Sequence, residues 1–112
     1  MTARTVTLRQ ERYEHNAYNL WARLGDDGSL VIEGQDLGAT AEDFWGSPEY
    51  EWSLTVAPAA LPRLVTALGG TPGEDDPLDL LAARYREEER YATRTFLEDA
   101  GVPFEFWNRV GD

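Results

Sequence analysis

Nucleophilic catalysis in this chain would have to use its single histidine, His15. His15 lies in a Glu-His-Asn segment that predicts a turn. The three serines are Ser29, Ser47 and Ser53, and none lies in the Gly-x-Ser-x-Gly context that exposes a nucleophilic serine at a strand-to-helix turn. We therefore expect His15 to be a turn residue that hydrogen-bonds locally.

Metal and cofactor binding also lack their usual residues. One histidine and no cysteine exclude the common zinc frameworks. Residues 25–28 and 74–79 are acidic, but they lack the alternating carboxylates, central glycine and distal glutamate of a calcium loop. Residues 34–38 contain two glycines without the spacing or the lysine of a phosphate-binding loop. The sequence thus predicts no metal and no cofactor.

Carboxylate pairs could catalyse glycoside hydrolysis if a cleft held them about 5–10 Å apart. With 21 acidic residues in 112, chance pairs are expected, and no spacing singles one out. We therefore expect that the chain is not an enzyme.

Length and charge narrow the remaining functions. The 112 residues are enough for one domain and one core. No apolar run approaches the roughly 18 residues of a membrane span, and residues 1–12 lack the apolar stretch of a secretory signal, so we expect a cytoplasmic protein. The net charge of −11 disfavours nucleic acid and anionic membranes and favours a basic protein partner.

Period-two patterns predict the strands. Residues 4–13, 17–24 and 30–33 alternate apolar and polar side chains, and the Gly-Asp-Asp-Gly turn at 25–28 joins the second to the third. Residues 50–56 give the clearest strand, aromatic on one face, acidic and hydroxylic on the other. Residues 102–107 return to period two and predict an extended segment docked on the sheet or the helices.

The patterns that predict helices lie mainly between the strand at residues 50–56 and the extended segment at residues 102–107. Leucines and valine at helical spacing follow Pro58 and stop at Gly69. Asp75 or Asp76 before Pro77 predicts a helix start, with that helix running to about Arg90, and a short helix covers about 92–100. We predict a single α+β domain over residues 1–112, with an antiparallel sheet of four or five strands followed by two or three helices packed on one face.

The loop over residues 36–50 is the predicted contact surface. It has no sustained periodicity, and residues 41–56 carry four negative charges with no arginine among them. Exposed aromatics beside carboxylates would combine a desolvated anchor with electrostatic steering of a basic partner. The alternative is that the aromatic pair of this loop folds back over the sheet. The predicted protein-binding residues are Asp36, Glu42, Asp43, Phe44, Trp45, Glu49 and Glu51.

Four segments carry a resemblance to a known group of proteins: 12–17 (RYEHNA), 33–38 (EGQDLG), 49–52 (EYEW) and 100–107 (AGVPFEFW). The chain resembles a family of small acidic actinobacterial proteins, similar in kind to the immunity proteins of polymorphic toxin systems. The resemblance implies an immunity- or antitoxin-like inhibitor of a basic toxin, and it assigns no site residue.

Two functions therefore remain open at the level of sequence. The first is a non-catalytic acidic binding protein of that inhibitor kind. The second is a small-molecule-binding or housekeeping module whose acidity serves only solubility. A concave apolar pocket would favour the second.

Overall fold

The computed structural model describes residues 4–13, 15–38, 49–87 and 93–110, and of residues 13, 86, 87 and 110 only the backbone. Within these residues the chain forms five strands, three α-helices and one short 3₁₀ turn. In chain order they are β1 (Thr5–Tyr13), β2 (Asn16–Leu24), β3 (Leu30–Gly38), β4 (Glu49–Val56), the 3₁₀ turn (Pro58–Ala60), α1 (Leu61–Ala67), α2 (Pro77–Glu87), α3 (Thr93–Ala100) and β5 (Glu105–Val110).

The strands form one antiparallel sheet in the order β1-β2-β3-β4-β5. The predicted α+β class is confirmed, and the four or five antiparallel strands and two or three helices expected are five strands and three helices. One detail of the order differs, because β5 follows the helices and returns to pair with β4. Of the extended segment expected at residues 102–107, residues 105–107 are therefore the start of an edge strand.

The β2–β3 turn shows how the sequence fixes strand register. Gly28 has φ +86°, a conformation that costs glycine little, and its amide donates to the Gly25 carbonyl at 3.0 Å. The Asp27 carboxylate accepts the amide of Ser29 at 2.9 Å and its hydroxyl at 3.0 Å. These bonds favour the ionised form and lower the pKa of Asp27. The turn thereby sets Leu24 opposite Leu30.

Alternation along the strands separates two faces of the sheet. On one face, apolar side chains from β2, β3 and β4 join leucines from all three helices in a buried cluster. Its members include Leu20, Ala22, Leu30, Ile32, Leu54, Val56, Leu64, Leu78, Leu81 and Leu97. We call this side of the sheet the core face and the opposite side the polar face. The period-two prediction for β2, β3 and β4 places these side chains correctly.

The start of α2 follows the predicted capping pattern, with Asp76 as the capping residue. The Asp76 Oδ1 atom accepts the backbone N–H of Leu78 at 2.8 Å, and Pro77 occupies the first helical position. The second oxygen, Oδ2, accepts a bond from Arg4 at 2.6 Å. Asp75 instead accepts the amide of Thr71 at 2.7 Å. Asp76 thus caps α2 and joins it to the residue before β1.

A register shift in β1 changes which side its polar residues face. Simple alternation along β1 would point the Arg9 side chain away from the face that Val6 and Leu8 share. The pairing with β2 shifts between Thr7 and Arg9, so that Arg9 lies across from the buried Leu20, on the core face. The extra residue of a bulge explains the change of side.

None of the helices in the described residues is long and apolar enough to cross a bilayer.

Candidate interaction surface

Two tryptophans lie on the polar face in one row across the sheet. Strand pairing places Trp21 opposite Glu33, Glu33 opposite Ser53, and Ser53 opposite Trp107. Directly paired residues of an antiparallel sheet point to the same side, so all four share the polar face. Three strand spacings separate the two tryptophan backbones, which corresponds to about 14 Å.

These tryptophans border a trough of about 330 Å³. Trp21 and Arg23 on β2 form one wall, and Trp107 on β5 forms the other. The floor comes from β3 and β4, and it contains Val31, Glu33, Gln35, Glu51, Ser53 and Thr55. Trp107 is 52% exposed, the most exposed large apolar side chain of the described residues. The trough therefore has aromatic walls and a predominantly polar floor.

Both carboxylates of the floor have an arginine nearby. The Arg23 Nε atom donates to Oε1 of Glu33 at 2.6 Å, and the two side chains are 43% and 41% exposed. The Arg109 Nη2 atom lies 3.9 Å from Oε1 of Glu51, at the limit of an ion pair. Exposed pairs of this kind contribute only about 0–1 kcal/mol to folding. They orient the floor groups more than they stabilise the domain.

Three of the seven predicted protein-binding residues fall within the described structure. Glu51 lies in the trough floor, and Glu49 shares its face one pair farther along β4. Asp36 pairs with Tyr50 and faces the core side instead. The structure therefore brings Glu49 and Glu51 together and separates Asp36 from both. The other four, Glu42, Asp43, Phe44 and Trp45, lie outside the described residues, and so does the contact loop itself from residue 39 to residue 48.

Asp36 lines a smaller cavity of about 130 Å³ between the sheet and the helices. Its neighbours there include Arg9, Tyr18, Tyr85 and Thr93. Burial raises the pKa of Asp36, and the positive charge of Arg9 opposes that shift. Leu20 and Trp52 also line this cavity, so its lining is mixed, and its volume is below the roughly 300–1,000 Å³ of typical ligand pockets. It is not the concave apolar pocket that would favour a small-molecule function.

The residues considered for catalysis do not converge at Ser29. His15 is exposed in the turn before β2, whereas Ser29 is buried after that strand and bonded to Asp27. The length of β2 puts the two turns roughly 27 Å apart. Among the residues that the structure describes, no group of three or more His, Cys, Asp or Glu side chains is placed to hold a metal ion.

Apart from Glu51, the trough residues were not among the predicted protein-binding residues, although the sequence contained a signal for two of them, Trp21 and Glu33. Alternation in β2 puts Trp21 with Asn19 and Arg23, opposite the apolar side chains, and this marks it as a tryptophan outside the core. Glu33 follows Ile32 and belongs to the polar side of β3 by the same rule. Trp21 and Glu33 lie in the same trough because of the order of the strands, which the alternation along a single strand does not reveal.

We find no match to this chain among family models, curated proteins or solved structures.

Proposed function

We propose that this chain is a non-catalytic protein-binding module that docks a basic partner on the polar face of its sheet. The observation that carries the proposal is the trough between Trp21 and Trp107. Tryptophan and arginine are the residues most enriched at the energetic centres of protein interfaces, and the trough walls contain both types. A half-exposed Trp107 offers apolar area that a partner could bury.

Net charge supports a basic partner. At −11 the chain attracts cationic surfaces over distances comparable with the Debye length, about 8–10 Å at physiological salt. The overall charge steers the encounter, and the tryptophans of the trough supply apolar contact area. An immunity- or antitoxin-like inhibitor of a basic toxin in the cytoplasm is the form of this function that the resemblance implies.

The proposal is tested by comparing partner capture between the natural chain and single variants. Trp107→Ala removes an exposed side chain from the trough, and Asp99→Ala alters an exposed residue of α3, the helix that packs through Leu97 on the core face. We expect proteins captured from the native host by the natural chain to be retained by Asp99→Ala and lost by Trp107→Ala.

Affinity for the captured partner is then measured by calorimetry. A tryptophan at the centre of an interface contributes about 2 kcal/mol or more, so Trp107→Ala should weaken binding roughly 30-fold or more. Circular dichroism confirms that each variant is folded. A partner that binds Trp107→Ala and the natural chain equally well would refute docking on this face.

A further inference from the structure

We infer that the trough receives an arginine side chain of the partner. This inference rests on the proposed function and specifies the chemistry by which the partner is recognised. The guest guanidinium would lie between the tryptophan walls and pair with the carboxylates of the floor. Charge, aromatic character and size support this assignment independently.

Charge complementarity is the first support. One arginine and two glutamates line the trough, so its lining carries one net negative charge within a chain of −11. The bond from Arg23 uses Oε1 of Glu33, and an ionised carboxylate has about four acceptor sites on its two oxygens. Glu51 is held only loosely, with Arg109 at 3.9 Å. Both glutamates can therefore accept further hydrogen bonds from a cationic guest.

Aromatic walls are the second support. Indole faces attract cations, and a planar guanidinium stacks on them better than an ammonium does. The protein contains this type of contact elsewhere, because the guanidinium carbon of Arg94 lies 4.3 Å from the ring centre of Phe106. With the two tryptophan backbones about 14 Å apart, one indole can stack on a flat face of the guanidinium while the glutamates of the floor accept hydrogen bonds from its edges.

Size is the third support. A trough of about 330 Å³ has room for one long side chain. Arginine carries five N–H donors in a rigid fork that matches carboxylates. It fits the trough as an anchor of a larger interface.

The test uses three capped tripeptides, Gly-Arg-Gly, Gly-Lys-Gly and Gly-citrulline-Gly, titrated into the full chain. Nuclear magnetic resonance follows the indole N–H signals of all four tryptophans, which single Trp→Phe variants assign. We expect saturable shifts of the Trp21 and Trp107 signals with the arginine peptide, and at least fivefold weaker binding of the lysine and citrulline peptides. Citrulline has the shape of arginine without its charge, so it isolates the ionic contribution.

Matched variants separate local from overall charge. Glu33→Gln and Asp99→Asn each remove one negative charge, the first in the trough and the second on exposed α3. We expect at least a fivefold loss of arginine-peptide affinity for Glu33→Gln and less than twofold for Asp99→Asn. Glu51→Gln provides a second trough variant in case Glu33→Gln perturbs the fold.

Several outcomes would overturn the inference. One is that the citrulline or lysine peptide binds as tightly as the arginine peptide, and another is that Glu33→Gln and Asp99→Asn lose equal affinity for the arginine peptide. A third is that the indole signals shift without saturating, or shift equally with a neutral oligosaccharide in place of the peptide. Shifts that depend on protein concentration without any peptide would indicate that a second copy of the chain occupies the trough.

The captured partner distinguishes this inference from the function on which it rests. If Trp107→Ala abolishes partner binding and Glu33→Gln leaves it unchanged, docking on the polar face stands and the arginine assignment fails. If neither variant affects partner binding, both fail.

Discussion

Gly34 lies at the middle of β3, where Trp52 of the neighbouring strand passes directly over it. A methyl group added at Gly34 would lie 2.2 Å from Cε2 of the indole and 2.4 Å from Nε1. Favourable carbon contacts require about 3.5–4.0 Å, so the ring would have to move by more than an ångström. Because Trp52 packs against the buried cluster, that movement disturbs the core.

The expected cost of Gly34→Ala follows from two opposing effects. Overpacking a well-packed site costs about 1–3 kcal/mol, whereas replacing glycine by alanine in compatible backbone gains about 0.4–1 kcal/mol. Gly34 has no positive φ, so the gain applies. We expect a net loss of roughly 1–2 kcal/mol, equivalent to a fall in Tm of about 4–8 °C in a small domain.

Urea denaturation followed by far-ultraviolet circular dichroism measures this loss without relying on tryptophan emission. The control is a double-mutant cycle with Trp52→Ala, which removes the ring that blocks the methyl group. In that background Gly34→Ala should become neutral or stabilising, giving a coupling free energy of about 1–3 kcal/mol. An equal loss in both backgrounds would refute the argument that Trp52 demands glycine at this position.

Two further predictions concern charge and capping. Burial raises the pKa of Asp36 above its unfolded value, so ionising Asp36 costs stability at neutral pH, and this cost disappears as pH falls through the folded pKa toward about 3.9. Asp36→Asn should therefore raise the urea midpoint at pH 7 and lose that advantage by about pH 4, whereas a constant advantage at both pH values would contradict this cause. Asp76→Ala should destabilise the chain by about 1 kcal/mol through loss of the α2 cap, and Asp76→Asn, which keeps a capping oxygen, should recover most of it in the same assay. Equal losses for the two variants would show that the contact with Arg4 matters more than the cap.

Local chemistry explains which parts of the fold the sequence predicted. Period two in β2 and β4 separated the apolar side chains from the polar ones, and the aspartates before Pro77 predicted the start of α2, because each signal depends on neighbours in the chain. The pairing of β5 with β4 joins residues 50 to 60 positions apart, so the sequence predicted an extended segment without its partner. The register shift of β1 against β2, between Thr7 and Arg9, has no such local signature in the sequence.

The candidate site was predicted less completely for a related reason. Extending the alternation of Leu30 and Ile32 through Gly34 would have placed Asp36 on the core face, but the glycine interrupted the apolar pattern and the segment was interpreted as a loop. Trp21 and Trp107 are 86 positions apart, and only the order of the strands shows that they border one trough. The acidic composition directed the sequence prediction to individual carboxylates, whereas two tryptophans border the trough that the structure shows.

The location of Trp107 is itself an argument for a partner. β5 is an edge strand of the described sheet, and both of its central aromatics are exposed, Phe106 by 39% and Trp107 by 52%. Exposed apolar edge strands promote aggregation, and proteins usually protect them with charged side chains. On the core face, Arg94 lies over Phe106 and shields it. On the polar face, Trp107 borders the trough and stays half exposed, where burying it in an interface would recover roughly 25 cal/mol for each Å² of apolar area. The exposure of a tryptophan at this edge strand therefore supports the proposed docking surface, which Trp107 borders.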